Sequence, residues 1–240
     1  MHSPLKNPAW DPLGAAIRAY MDGQKDAWVL VRNSVQEDER LEASLFFRAP
    51  DQSMRVEREL LERCKGKVLD IGAGAGVHAL YLQEKGMDVT ALDVSEEAVA
   101  VMRELGLEKA FCADVYEWDK GPYDTLLMLM NGIGIAGTLD GLSQFLNKAK
   151  SLLAPGGSIL LESTDVMYAF TEEDGSFKVP GEHYYGQVTY QMSFDGKEGA
   201  PYPWLFVDPA TLSMMAEAAG FRCNILYQSE DHNYAAELKA

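Results

Sequence analysis

Cysteine is scarce in this chain: Cys64, Cys112 and Cys223 make an odd number, and no two form a C-x-x-C pair. A disulfide framework and a cysteine-built zinc site are therefore without support, and no metal is expected. Three reduced thiols in a reducing compartment are the simplest reading. Long apolar runs are also missing, since no stretch approaches the roughly 18 residues that a membrane span needs. Residues 1–25 lack the basic start and apolar run of a secretory signal, so the cytoplasm is the expected location. Basic side chains are outnumbered 21 to 37 by acidic ones, giving a net charge of −16. Such a field repels phosphate backbones and anionic lipid, which makes nucleic acid and membranes poor partners. A small or cationic substrate is easier to reconcile with it.

What the chain does have is hydrophobic material, 47% of 240 residues, enough for one medium domain with a decorated end. Residues 1–65 are polar with two helical patches, about 12–21 and 53–64, and read as an N-terminal helical cap. From Lys67 onward, strand and helix patterns alternate. Apolar runs at 68–71, 88–94, 109–113, 123–130 and 158–162 are each separated by one amphipathic stretch, as in the face of Leu142, Phe145, Leu146, Ala149 and Leu152. Strands this apolar imply a parallel sheet covered on both sides, a doubly wound α/β domain over 66–240. Residues 164–207 interrupt the rhythm. Gln187–Phe194 alternates strictly, and Asp195-Gly196 supplies turn chemistry before Tyr202–Val207, which predicts an inserted β-hairpin. Asp208 and Pro209 then open a helix, and two strand-like segments close the chain.

The sharpest signal is Asp70-Ile71-Gly72-Ala73-Gly74-Ala75-Gly76, which follows a strand and opens a helix. Glycines there let the backbone turn tightly and approach a ligand, with helix-terminal N–H groups facing the crevice. Asp93 ends the next strand, about 20 residues on, where an acidic side chain can accept both hydroxyls of a ribose. Asp114 ends the third strand and could accept from an exocyclic amino group such as that of adenine. Any one of them could be a solvated strand-end residue. Three in register at successive strand ends point to an adenosine-containing ligand, because open α/β sheets bind outside those ends.

A dinucleotide fingerprint would need glycine at position 77, where the chain has Val77. The acidic-x-G-x-G-x-G spacing instead resembles motif I of the class I S-adenosylmethionine-dependent methyltransferases. The likeness extends from about Lys67 to the C-terminus, through Val89–Val94, Cys112–Val115, Tyr123–Leu127 and Leu152–Gly157. It implies a Rossmann-like sheet of strand order 3-2-1-4-5-7-6 with the seventh strand antiparallel, and S-adenosylmethionine as cofactor. It also implies roles for single residues. Backbone around Gly72, Ala73, Gly74 and Gly76 would face the methionine portion, with Asp70 reaching its amino group. Asp93 would hold the ribose, Val94 would pack on adenine, Asp114 and Val115 would read its edge, and Met130 would line the same site.

Methyl transfer from a sulfonium needs alignment and exclusion of water, and a base only when the nucleophile arrives protonated. No catalytic residue is forced by the sequence. Three weak candidates are Asn131, Asp165 and His183. Asn131 ends the fourth strand where amine-modifying relatives carry Asn/Asp-Pro-Pro-aromatic, a pattern from which Met130-Asn131-Gly132-Ile133 departs. Asp165 follows the fifth strand, and His183 lies beside Tyr184 and Tyr185 in the insertion. His78, next to the glycine loop, reads as packing or capping, and Arg48 as a partner for the cofactor carboxylate. Aromatics crowd the insertion and suit an apolar or cationic ligand, the insertion's own core or a homodimer contact; strict alternation favours core for Tyr190. The expected function is methylation at O or N of a small molecule. A non-catalytic module binding an S-adenosyl ligand and a nicotinamide-dependent oxidoreductase are the alternatives.

Overall fold

The computed structural model describes residues 8–35, 37–49, 52–171, 174, 176–179, 181 and 183–240; the others belong to the expected cap and insertion and lie outside the described residues. Two sheets organise them. The larger has seven strands: β3 (Lys67–Ile71), β4 (Asp88–Asp93), β5 (Ala110–Cys112), β6 (Tyr123–Met128), β7 (Leu153–Thr164), β11 (Arg222–Gln228) and β12 (Asn233–Lys239). Their order is β11-β12-β7-β6-β3-β4-β5. All neighbours run parallel except β12, which is antiparallel to both β7 and β11. Numbered from β3, this is the 3-2-1-4-5-7-6 order with an antiparallel seventh strand.

Near-continuous apolar strands are explained by burial on both faces. On β3, Leu69 and Ile71 join a core beneath α5 (Leu139–Leu152). Val68 points the other way, into a core with Leu82 of α3 (Val77–Glu84) and Leu60 of α2 (Arg55–Leu61). Leu126 and Leu127 of β6 divide in the same manner. Side chains alternate across a strand, so a strand covered twice has no polar face to show.

Helix starts follow local chemistry. The Ser95 hydroxyl accepts from the Ala98 N–H at the head of α4 (Glu96–Glu104), and Thr138 does the same for Gly141 on α5. Asp208 caps α6 (Pro209–Ala218), accepting from the N–H groups of Ala210 and Thr211.

The N-terminal segment corrects the helical-cap expectation. Its first helix is α1 (Asp11–Met21), but β1 (Trp28–Asn33) and β2 (Glu39–Glu42) follow. They join β8 (Gln187–Phe194), β9 (Lys197–Glu198) and β10 (Tyr202–Leu205) in a second, antiparallel sheet. The expected hairpin is present: Asp195 and Gly196 both take positive φ, the geometry its turn requires. Its partner was hidden because β1 pairs with β8 across more than 150 residues of chain, Leu30 opposite Ser193. No local periodicity reports such a pairing. Between this sheet and α1, Ala16, Val29, Val31 and Met192 form a small core. Ile17 ties α1 to Ala98 and Val101 of α4, which seats the second sheet over the carboxyl ends of the first.

Candidate active site

A cavity of about 470 Å³ lies between the two sheets. Its floor is the carboxyl edge of β3, β4, β5 and β6, and its roof comes from α1, β1, β2, β8 and β10. The floor begins with the glycine loop. Gly72 and Ala73 donate their N–H groups to the Leu92 carbonyl at 2.9 and 3.0 Å, which pins the loop to the end of β4. Gly72 and Gly74 have φ of +74° and +58°, a region other residues enter at a cost. A side chain at Gly72 would meet no protein atom, so that space is open to a ligand, whereas at Gly74 it would press on Phe46.

The three carboxylates converge as expected, each held differently. Asp70 is buried, and its Oδ2 has no hydrogen-bond partner among the described residues. Burial pushes its pKa up to about 6, with Asp93 adding to the rise and His78 opposing it. Asp93 Oδ1 accepts from the Ser95 N–H and Oδ2 from the Gly74 N–H, both at 2.9 Å. Its carboxylate is set deep although the residue keeps some exposure, and burial raises it to about 6 against those bonds. Asp114 Oδ1 accepts from the Tyr116 N–H at 2.9 Å in a tight turn. Asp70, Gly72, Ala73, Gly74, Asp93, Val94, Asp114, Val115 and Met130 all line the cavity. Gly76 does not. At φ +78° it heads α3 with its back to Met102, where a Cβ would come within 2.8 Å.

At the end of β6, Met130 and Asn131 take φ of +52° and +58°, two successive non-glycine residues in the left-handed region. Strain of this kind persists where the surroundings hold it. Here the Met130 N–H donates to Glu162 Oε2 at 3.1 Å. Glu162 is buried, and burial, followed by the charge of Glu57, lifts its pKa to about 7. Glu57 in turn bonds His78 Nε2 at 2.8 Å and Arg48 at 3.0 Å. Burial pushes Glu57 up, but its two partners prevail and its pKa ends below the usual value. Asn131 lines the cavity, and neither its Oδ1 nor its Nδ2, both buried, has a hydrogen-bond partner among the described residues.

The other two catalytic candidates are not brought to the cavity. Asp165 accepts from the Met167 N–H and from the Tyr185 hydroxyl, so its carboxylate is used as a cap. His183 is exposed and lines no part of the site. Arg48 is spent on Glu57 rather than facing the cavity, while His78 lines it. Tyr190, expected in the core, both packs there and faces the cavity. Glu39, Trp10 and Glu162 were not singled out by sequence reasoning. Glu162 carries a signal in hindsight, a charged residue ending the apolar run Ser158–Leu161.

The donor set suits an S-adenosyl group. An unpartnered buried carboxylate can take an ammonium, a second carboxylate beside the glycine turn can take a diol, and the open Gly72 cradle leaves room for the chain between them. Comparison with known proteins agrees. Residues 68–157 match the family described as "Methyltransferase domain". A crystal structure of an S-adenosylmethionine-dependent methyltransferase from Bacteroides fragilis, in complex with S-adenosyl-L-homocysteine, is 38% identical. The match covers 98% of this chain and 97% of that one, with a TM-score of 0.90. This chain belongs to the S-adenosylmethionine-dependent methyltransferases, and its cofactor is S-adenosylmethionine. The CcbJ methyltransferase of Streptomyces caelestis shares the fold at 16% identity, over 80% of this chain and 92% of that one, with a TM-score of 0.61. So does the sugar N-methyltransferase KedS8 of a Streptoalloteichus species, at 17% identity over 85% and 95% and a TM-score of 0.55. Among curated proteins none matches.

Proposed function

We propose that this enzyme methylates an oxygen or nitrogen of a small-molecule acceptor held between the two sheets. The observation that carries the reading is the roof. It covers the carboxyl edge of the large sheet and leaves a cavity of about 470 Å³ for cofactor and acceptor together, which suits a small acceptor and is ill suited to a polymer. The net charge of −16 argues against nucleic acid in the same direction.

Asp70 would take the amino group of the cofactor, Asp93 the ribose hydroxyls, and Asp114 with Val115 the adenine edge, while the Gly72–Gly74 backbone would lie along the chain between them. The cofactor supplies an electrophilic methyl on sulfur. The protein's part is placement: Asn131, fixed by the Glu162 brace on Met130, would orient the acceptor, and the aromatic roof would exclude water. Domain roles divide accordingly, with residues 66–240 carrying the cofactor and the N-terminal segment joining the inserted hairpin as an acceptor-binding cap. Three unpaired cysteines accord with a reducing cytoplasm.

The test is incubation with methyl-labelled S-adenosylmethionine and a panel of small amines and alcohols, read by mass spectrometry. A methylated small molecule is expected. Turnover confined to RNA or protein would overturn the reading.

A further inference from the structure

The roof is more specific than a lid against water. Trp10, Tyr190, Tyr202 and Trp204 all face the cavity and form a connected aromatic group. The ring centroids of Trp10 lie 4.8 Å from Tyr202 and 5.5 Å from Trp204, and Tyr190 and Trp204 stack at 6.2 Å. Trp204 is laid against Gly134, where even a Cβ would enter the indole, so its place is fixed by backbone. Among the described residues the cavity lining contains four carboxylates, Glu39, Asp70, Asp93 and Asp114, and no lysine or arginine. Three of the four sit on the cofactor floor. Glu39 is the exception: it opens β2 on the roof, is exposed, and forms no ion pair or side-chain hydrogen bond among the described residues. It sits opposite Val31 in the sheet and lines the cavity with Val31 and Tyr190. A cavity with that lining disfavours an anionic acceptor, since it offers no lysine or arginine and its one histidine, His78, is bonded to Glu57. Aromatic faces with one carboxylate opposite are the chemistry that binds an organic cation.

We propose that the acceptor is an amine bound as its ammonium ion, held by the faces of Trp10, Tyr190, Tyr202 and Trp204 with Glu39 as counter-charge. This rests on the methyl-transfer reading above and narrows its acceptor to nitrogen. Before transfer the ammonium gives up a proton to solvent. The freed nitrogen lone pair then forms the N–C bond to the methyl carbon while the C–S bond breaks, its electron pair returning to sulfur. The single positive charge thus passes from sulfur to nitrogen, toward the aromatic faces and Glu39, where it is better stabilised than at the start.

The test uses choline, which resembles a fully methylated product, and its uncharged isostere 3,3-dimethylbutan-1-ol. Each is titrated into the full chain, with and without saturating S-adenosylhomocysteine, and read by tryptophan fluorescence. Choline should bind about tenfold more tightly than the alcohol. Glu39→Gln and Trp10→Leu should each reduce that preference to about threefold or less while S-adenosylhomocysteine affinity, measured by calorimetry, stays within about twofold. Equal binding of the two probes, or an unchanged preference in Glu39→Gln, overturns the proposal. Should Trp10→Leu lose its fold, the exposed Glu39 variant still decides. Failure of the wild-type chain to bind S-adenosylhomocysteine would instead count against the methyl-transfer reading, and the cofactor-free titration would still judge the cation site.

Discussion

The two sheets that enclose the cavity are built on opposite plans. In the large sheet the chemistry sits at strand ends, where each loop offers backbone N–H groups and one carboxylate, and the strand faces are used up in core. In the small sheet the chemistry sits on a strand face and at the head of α1, as aromatic rings, with Glu39 as its carboxylate. The first plan suits recognition of a fixed group, point by point. The second recognises shape and charge, and it can change without disturbing the first. If that separation is real, damage to one sheet should leave the other's ligand alone.

The largest expected effect belongs to Asp93→Ala. It removes the proposed ribose acceptor together with the brace on the Gly74 and Ser95 N–H groups. Affinity for S-adenosylhomocysteine should fall by about a hundredfold in calorimetry, since hydrogen bonds to a charged group contribute about 1.5–3 kcal/mol each. Choline binding to the cofactor-free protein should change by less than about threefold; a parallel collapse would break the separation.

Next comes Gly134→Ala, aimed at the roof. A methyl group there displaces the Trp204 indole, and overpacking of this kind costs about 1–3 kcal/mol in urea unfolding. S-adenosylhomocysteine affinity should hold within about twofold. A loss comparable to that of Asp93→Ala would show that the two sheets are not independent.

Glu162 lies where the plans meet, and its effect depends on pH. With a folded pKa of about 7 against an ordinary 4.5, the folded state holds the proton more tightly than the unfolded state. Stability therefore falls as pH rises through that window, is unaffected below it, and bears the full cost above it. Glu162→Gln should remove the part of the fall that Glu162 contributes, which runs up to about pH 7, leaving the part due to Asp70 and Asp93, which ends lower, at about pH 6. The variant should match the wild type near pH 4 and exceed it by about 1–3 kcal/mol at pH 8 in denaturant melts. A stability difference between variant and wild type that is the same at pH 4 and pH 8 would count against a buried, neutral Glu162. The smallest effects are expected of His183→Ala and Asp165→Asn, which should leave both ligands' affinities within about twofold, because neither side chain lines the cavity.

The difference between the plans also explains what could be read from sequence. A strand-end site is local: Asp70 precedes its glycines directly, and Asp93 and Asp114 each close an apolar run, so position along the chain stands in for position in space. The order of the large sheet came with the family resemblance, and it held. The small sheet is assembled from segments near residues 30, 40, 190 and 204; β1 with β2 and β8 with β9 and β10 pair locally, but the β1–β8 pairing that joins these two halves is not local. Residues 28–42 therefore read as polar cap, and Tyr190 as core. Asp165 drew attention by following the fifth strand, and His183 by lying beside Tyr184 and Tyr185 in the insertion. The Asp165 carboxylate was already committed to Met167 and Tyr185, and such commitments show only in three dimensions.

A crystal structure of the protein with S-adenosylhomocysteine tests the convergence of the three carboxylates most directly. Adenine is expected beside Asp114, the ribose hydroxyls on Asp93, the amino group on Asp70, and the sulfur turned toward Asn131 and the aromatic roof. Ligand bound elsewhere, or with its ribose away from Asp93, would contradict that arrangement.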